Sequence, residues 1–299
     1  MKNKLTKTIL LATAFMAVAA NILIVSSSAR VLQPTAGLVN AVPGGGRARF
    51  EVTLFRFHVN QQSWDDTLER DGKGDEVSFS RVAMLHNRNG SRVLTDGLNF
   101  TQTMGENPPN ALRAGHASVA RGGLKTGDDI ILPPVVLFSA ELIQDETAAT
   151  ILVSVWEMDG PRDLYTPYKE FLHNEESNIA RIALLTLRDS PQTPLSIREW
   201  DTGFNILSGA PTGAHDIRIV ATIGGGPLGL GEVNDRPIGM VPEGNRFNFV
   251  PKFLFLNFNN ASRAADTNQG LGPGVLKINY KDADRLAGNY DLYVRVRRV

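Results

Sequence analysis

An antiparallel β-sandwich of about eight strands, carrying one amphipathic helical insertion, is the fold this sequence predicts. Three observations predict it. Apolar residues recur mostly at every second position, the period of a half-buried strand. The runs are short and broken by turn formers, with 28 Gly and 16 Pro in 299 residues. The period changes to three and four only once, over 166–188.

The first element is a leader. Lys2, Lys4 and Lys7 precede an apolar stretch, Ile9 to Val25, interrupted by Thr13 and Asn21, and Ser27-Ser28-Ala29 supplies small residues for cleavage. Residues 1–29 therefore read as a secretory signal peptide, with an uncleaved anchor as the rival because the apolar run is long. No later segment is long and apolar enough to span a bilayer, and the expected location is periplasmic, cell-surface or extracellular. Residues 30–46, with Pro34, Pro43 and Gly44-Gly45-Gly46, read as a linker. A single domain over 47–299 follows; the alternative is two smaller β domains divided near 190–212.

Arg47 to Asn60 is the first strand. Phe50, Val52 and Leu54 share a face, the phase slips at Phe55, and Phe57 and Val59 continue, so a β-bulge is expected near Leu54-Phe55. Glu76 to His86 is the second strand, closed by the turn Asn87-Arg88-Asn89-Gly90. Residues 87–132 read as long loops with one or two weak strands, one of them around Ala117–Ala120. Val135–Ile143 and Ala149–Trp156 are clearer strands. The second is apolar on both faces and is expected to be central. Tyr168, Phe171, Leu172, Ile179, Ile182 and Ala183 then lie along one side of a helix that Pro167 helps to start, a lid or an insertion. Strand signals return at Asp216–Ile223, Phe249–Phe258 (where Pro251 implies an edge or a bulge), Val275–Tyr280 and Gly288–Val299. In the last, Tyr290, Leu292, Val294 and Val296 oppose Asp291, Tyr293, Arg295 and Arg297, one face buried and one wet.

Composition excludes several functions. With no cysteine there are no thiol nucleophiles, thiolate zinc sites or disulfides. Basic and acidic residues number 31 each, and loss of the leader with its three lysines leaves 28 against 31. That balance argues against nucleic acid as a partner. Gly224–Gly231 follows a strand signal but lacks the Gly-Lys-Ser/Thr ending of a phosphate loop. The histidines, at 58, 86, 116, 173 and 215, form no His-Glu-x-x-His pair, and no Gly-x-Ser-x-Gly elbow occurs. No catalytic residue is assigned. The sequons at Asn89, Asn99 and Asn260 matter only in a eukaryotic host.

The acidic loop after the first strand is the candidate site. Asp65, Asp66, Asp71, Asp75 and Glu76 offer carboxylates within a dozen residues, as a hard cation such as calcium requires, and Gly72 and Gly74 let the backbone bend. Lys73 rules out an EF-hand. A second cluster, Glu157, Asp159 and Asp163, would add Asp159 as a ligand if the two loops share an end of the sandwich. A solvated surface loop is the plainer reading of the same residues. Asp235-Arg236 reads as a buried ion pair fixing the Gly-rich loop.

Aspartates on separate loops of an eight-stranded sandwich resemble C2-type calcium-binding modules, and that resemblance implies calcium. Trp64-Asp65-Asp66 with Asp71-Gly72-Lys73-Gly74-Asp75-Glu76-Val77, Trp156-Glu157-Met158-Asp159-Gly160 and Asp235-Arg236-Pro237-Ile238-Gly239-Met240 resemble a group of uncharacterised bacterial proteins. This second resemblance implies a bacterial source and no particular activity. The expected function is an exported, non-enzymatic binding or scaffolding module whose partner is a surface glycan or a protein. The alternatives are a hydrolase of a surface polymer using carboxylates among Asp71, Asp75, Glu157 and Asp159, and a carbohydrate-binding module using Trp64 as a platform.

Overall fold

The computed structural model describes residues 46–63, 74–105, 123–158, 165–188, 195, 197–199, 235–243, 246–283 and 286–299. The leader, the linker, Ala117–Ala120 and Asp216–Ile223 lie outside the described residues. Twelve strands and two α-helices are found among those described. The strands are β1 (Arg47–Gln61), β2 (Val77–Asn87), β3 (Arg92–Phe100), β4 (Asp129–Ile143), β5 (Thr147–Glu157), β6 (Ile197–Glu199), β7 (Arg236–Pro237), β8 (Met240–Glu243), β9 (Arg246–Phe249), β10 (Lys252–Asn257), β11 (Val275–Lys281) and β12 (Asn289–Arg298). The helices are α1 (Tyr165–Leu185) and α2 (Phe258–Asp266).

The strands form two antiparallel sheets and a hairpin. The first sheet runs β11-β12-β1-β4; the second runs β3-β2-β5-β10-β6, with β7 also on β5; β8 and β9 pair with each other. The mainly β sandwich expected from the alternation is therefore present. Strands from before and after 190–212 share both sheets, since β1 pairs with β12 and β5 with β10. A division into two β domains there is not what the chain forms.

The β1 bulge lies where the phase slips. Leu54 faces Val294 and Arg56 faces Tyr293, leaving Phe55 as the extra residue. On the other side Leu54 faces Val135 and Arg56 faces Ile131, so Leu132, Pro133 and Pro134 of β4 stand opposite the same point. The bulge returns Phe57 and Val59 to the core beside Phe50, Val52 and Leu54. Phe55 and Arg56 each take part in a guanidinium–ring stack: Arg295 over Phe55 at 4.4 Å and Arg56 over Tyr293 at 4.7 Å. Prolines suit β4, an edge strand of its sheet. The Arg81 guanidinium donates to the Val136 carbonyl on this edge.

Strand β5 is central, as its two apolar faces imply, and all eleven of its residues are buried. One face meets the first sheet and the other meets α1. The six helical positions picked out by period are all buried. Tyr168 sets its ring edgewise on Trp156 and on Phe249, at 5.4 and 5.7 Å, and its hydroxyl lies 3.3 Å from Ser154 Oγ. Trp156 Nε1 donates to Ser80 Oγ at 2.9 Å. Sealed in this layer, the Tyr168 hydroxyl is pushed far above its ordinary pKa by burial.

The differences from expectation have local causes. Strand β3 falls in the stretch expected to hold long loops with one or two weak strands; most of its positions are exposed, and Gly97 and Asp96 break its alternation. Pro251 splits the expected strand 249–258 into β9 and β10. Where β10 stops pairing with β5 at Leu152 and β7 starts at Trp156, the open β5 carbonyls are met by other donors. The Tyr280 hydroxyl donates to Val153 O at 2.9 Å and Ile238 N to Val155 O at 2.9 Å. Helix α2, absent from the sequence reading, starts at a reciprocal cap: Asn257 accepts from Asn260 N and Asn260 accepts from Asn257 N. Asn260 is buried and its amide donates to Phe255 O, so this sequon is structural. Trp156→Ala should remove the packing shared by β5, α1 and Phe100, at a cost of about 3–5 kcal/mol. Urea unfolding followed by far-ultraviolet circular dichroism measures it.

Candidate functional site at the acidic pole

One pole of the sandwich gathers the ends of β1, β5 and β11 and the starts of β2, β4 and β12. Gln61 faces Asn289, His58 faces Asp129, and Val77 faces Glu157. Met158 N donates to Glu76 O at 2.7 Å, so the chain leading into β2 and the chain leaving β5 run side by side. Trp156 and Glu157 face Pro237 and Arg236. The three stretches singled out in the sequence, ending at Glu76-Val77, around Trp156-Glu157-Met158 and at Asp235–Met240, are thus neighbours in space. The chain entering β2 and the chain leaving β5, the described roots of the two acidic loops, share an end.

Asp75 is the anchor of this pole. It is 0% exposed. Ser63 N donates to both of its carboxylate oxygens, at 3.0 and 2.8 Å, and Ser63 Oγ lies 3.1 Å from Oδ1. The Tyr290 hydroxyl donates to Oδ2. Asp75 N and O also exchange hydrogen bonds with Leu124, at 2.9 and 2.8 Å. Asp75, two residues before β2, therefore ties the end of β1, the start of β12 and the bridge at Leu124 together. This contact demands glycines. A Cβ on Gly74 would sit 2.1 Å from Leu124 O, and one on Gly123, whose φ is +46°, would sit 2.0 Å from Gly74 O.

Asp282 repeats the device in the turn between β11 and β12. Its carboxylate accepts from Gly239 N and Met240 N, both at 2.8 Å, and from Arg236 at 2.8 Å. Asp235 and Arg236 are both buried, and Arg236 pairs with Asp282 across the pole. The pair fixes the segment that ends the Gly-rich stretch. Glu157, 0% exposed, stands opposite Arg236 in register. Buried charges of this kind persist only when paired and hydrogen-bonded.

Of the six acids proposed as ligands, Asp65, Asp66, Asp71 and Asp159 lie outside the described residues, as does Trp64. The Asp75 carboxylate faces the core with both oxygens engaged, and Glu76, its neighbour in an extended segment, faces the other way. These two acids do not converge on a common point, and no group of three or more His, Asp or Glu able to hold a metal occurs among the described residues. A groove of about 160 Å³ lies between β4 and the segment at 101–104, walled by Phe79, Met104, Leu132 and Val135. Its walls carry no acid or base, and it is smaller than a usual ligand pocket.

Sequence reasoning missed Ser63, Tyr290 and Asp282, whose roles depend on partners 12, 215 and 46 positions away. The alternation put Tyr290 on the inner face; nothing local named the acceptor for its hydroxyl. No protein-family model matches the chain, and comparison with curated proteins and with solved structures finds no match either.

Tyr290→Phe removes one donor from Asp75 and should cost about 1–2 kcal/mol. Asp75→Ala leaves the Ser63 and Tyr290 donors buried without their acceptor and should cost about 3 kcal/mol or more. Chemical denaturation of the two single variants and the double variant checks the pair. The double variant should be less destabilised than the sum of the singles.

Proposed function

We propose that the chain is an exported, non-enzymatic binding or scaffolding module that presents the loops of its acidic pole to a partner. The observation that carries this reading is the use made of the buried carboxylates. Asp75 and Asp282 accept backbone N–H groups from Ser63, Gly239 and Met240. They hold the roots of the loops. Loops carried on a rigid root are a common way to build a recognition surface.

The two poles suit such a role. Residue 46 enters at the opposite pole, where Gly46 N donates to Gln144 Oε1 and Arg47 faces Ile143. Strand β1 spans 15 residues between the poles, about 50 Å of extended chain. The described chain therefore begins at the pole opposite Asp75 and Asp282. Calcium is the cation proposed to organise those loops, through Asp65, Asp66, Asp71 and Asp159, with Asp75 serving as the inward anchor. Of the carboxylates the hydrolase alternative draws on, Asp71, Asp75, Glu157 and Asp159, complete burial weighs against Asp75 and Glu157.

The test is binding by the mature chain to insoluble polysaccharides and to a bacterial cell-envelope fraction. Binding should fall at least tenfold in Trp64→Ala and Asp71→Ala and be retained when Glu146, at the opposite pole, becomes Ala. Equal binding by all four proteins would overturn the reading, as would turnover of a glycan or ester panel that Glu157→Gln abolishes. Millimolar calcium should raise the melting temperature of the wild type by mass action and not that of Asp71→Ala; a melt indifferent to calcium and chelator removes the cation.

A further inference from the structure

The seam between α1 and the second sheet holds a group that the binding reading does not use. His86, near the end of β2, is 1% exposed and lies on the sheet face covered by α1, the face that also carries Ser80 and Met84. Among the described residues its Nδ1 has no hydrogen-bond partner. Thr150, which faces Met84 two residues along β5 from the His86 partner Ala148, is 3% exposed and its hydroxyl likewise has no partner among the described residues. Most buried polar atoms are satisfied, so two neighbouring exceptions beneath one helix call for an explanation.

Among the described residues, the charges that act on His86 come from two elements, α1 and β3. Glu176 of α1 and Arg92 of β3 form an ion pair at 2.6 Å that ties the helix to the sheet edge. Glu175 of α1 is buried and accepts from Asn178 at 3.0 Å. The β5 residues on the other side, Ala148 and Thr150, are uncharged. A proton on His86 would therefore sit in a dry seam, draw Glu176 towards it and repel Arg92. Both effects act on the ion pair that fastens α1.

We propose that His86 makes the docking of α1 acid-sensitive, so that protonation of the imidazole loosens the helix from the sheet while the sandwich beneath stays folded. The direction follows from burial. Desolvation holds the imidazole below its ordinary pKa, Glu176 works against that, and Arg92 adds to it. A histidine whose pKa is lowered in the docked state costs nothing above its free value, near 6.5. Docking weakens as pH falls below that value and stops weakening once the docked form is itself protonated. The window is thus mildly acidic, below about pH 6.5, where few other side chains change charge.

Hydrogen exchange of the mature chain, corrected for intrinsic rates, tests this at pH 7.5 and pH 5. Amides of α1 should lose protection by about tenfold for each unit by which docking lowers the pKa, while amides of β1 and β12 keep theirs. His86→Phe and His86→Gln should both flatten the response. Should His86→Phe fail to fold, His86→Gln and the titration of the His86 ring proton by magnetic resonance decide the matter. Unchanged protection of α1 at pH 5, an equal loss in His86→Gln, or a ring that titrates at or above 6.5 would each overturn the proposal.

Discussion

One carboxylate, that of Asp75, fixes how the two sheets meet at the acidic pole. Asp75 leads into β2 of the second sheet, yet its side chain is bound by Ser63, just past the end of β1, and by Tyr290 of β12, both strands of the first sheet. Apolar burial between the sheets is strong but non-directional. It brings Phe57, Phe79 and Tyr290 together, with ring centroids 5.2 and 6.4 Å apart, without fixing how the strand ends meet. The hydrogen bonds to Asp75 do have direction, and they fix that meeting. A buried carboxylate is costly to desolvate, so its net contribution to stability is modest. Its larger effect is specificity: few other arrangements of these ends would satisfy it.

The same economy appears at Asp282, and the two sites divide the work. Asp75 secures the chain running into β2; Asp282, with Arg236, secures the segment running into β8. Between them lies the paired end of β5 at Trp156 and Glu157. Three stretches distant in sequence thus leave the core from fixed positions. At the far pole the chain is fastened more simply, by main-chain turns such as Glu146 N to Ile143 O and by Gln144 on Gly46.

What was legible in the sequence was what short-range pattern controls. The bulge at Phe55, the turn at Asn87–Gly90, the central β5 and the buried side of α1 each follow from spacing within a dozen residues, and each is present. Strand β3 was hidden because an exposed edge strand needs no alternation. Helix α2 was hidden because its nine residues follow an apolar strand, although the Asn257–Asn260 cap was a signal in plain view. The site was half legible. Acid density located the pole, but it could not separate acids that face water from acids that face the core. That distinction for Asp75 depends on Tyr290, 215 residues away.

The amides of Ser63, Gly239 and Met240 offer the most direct test, because each donates to a buried carboxylate and none belongs to the interior of a long strand. Residue-resolved hydrogen exchange at neutral pH should find all three protected to within about tenfold of the central β5 amides, as groups released only by near-global opening. Exchange at the pace of the Asn89–Ser91 turn would mean that the pole opens freely. The carboxylates would then not be what holds it.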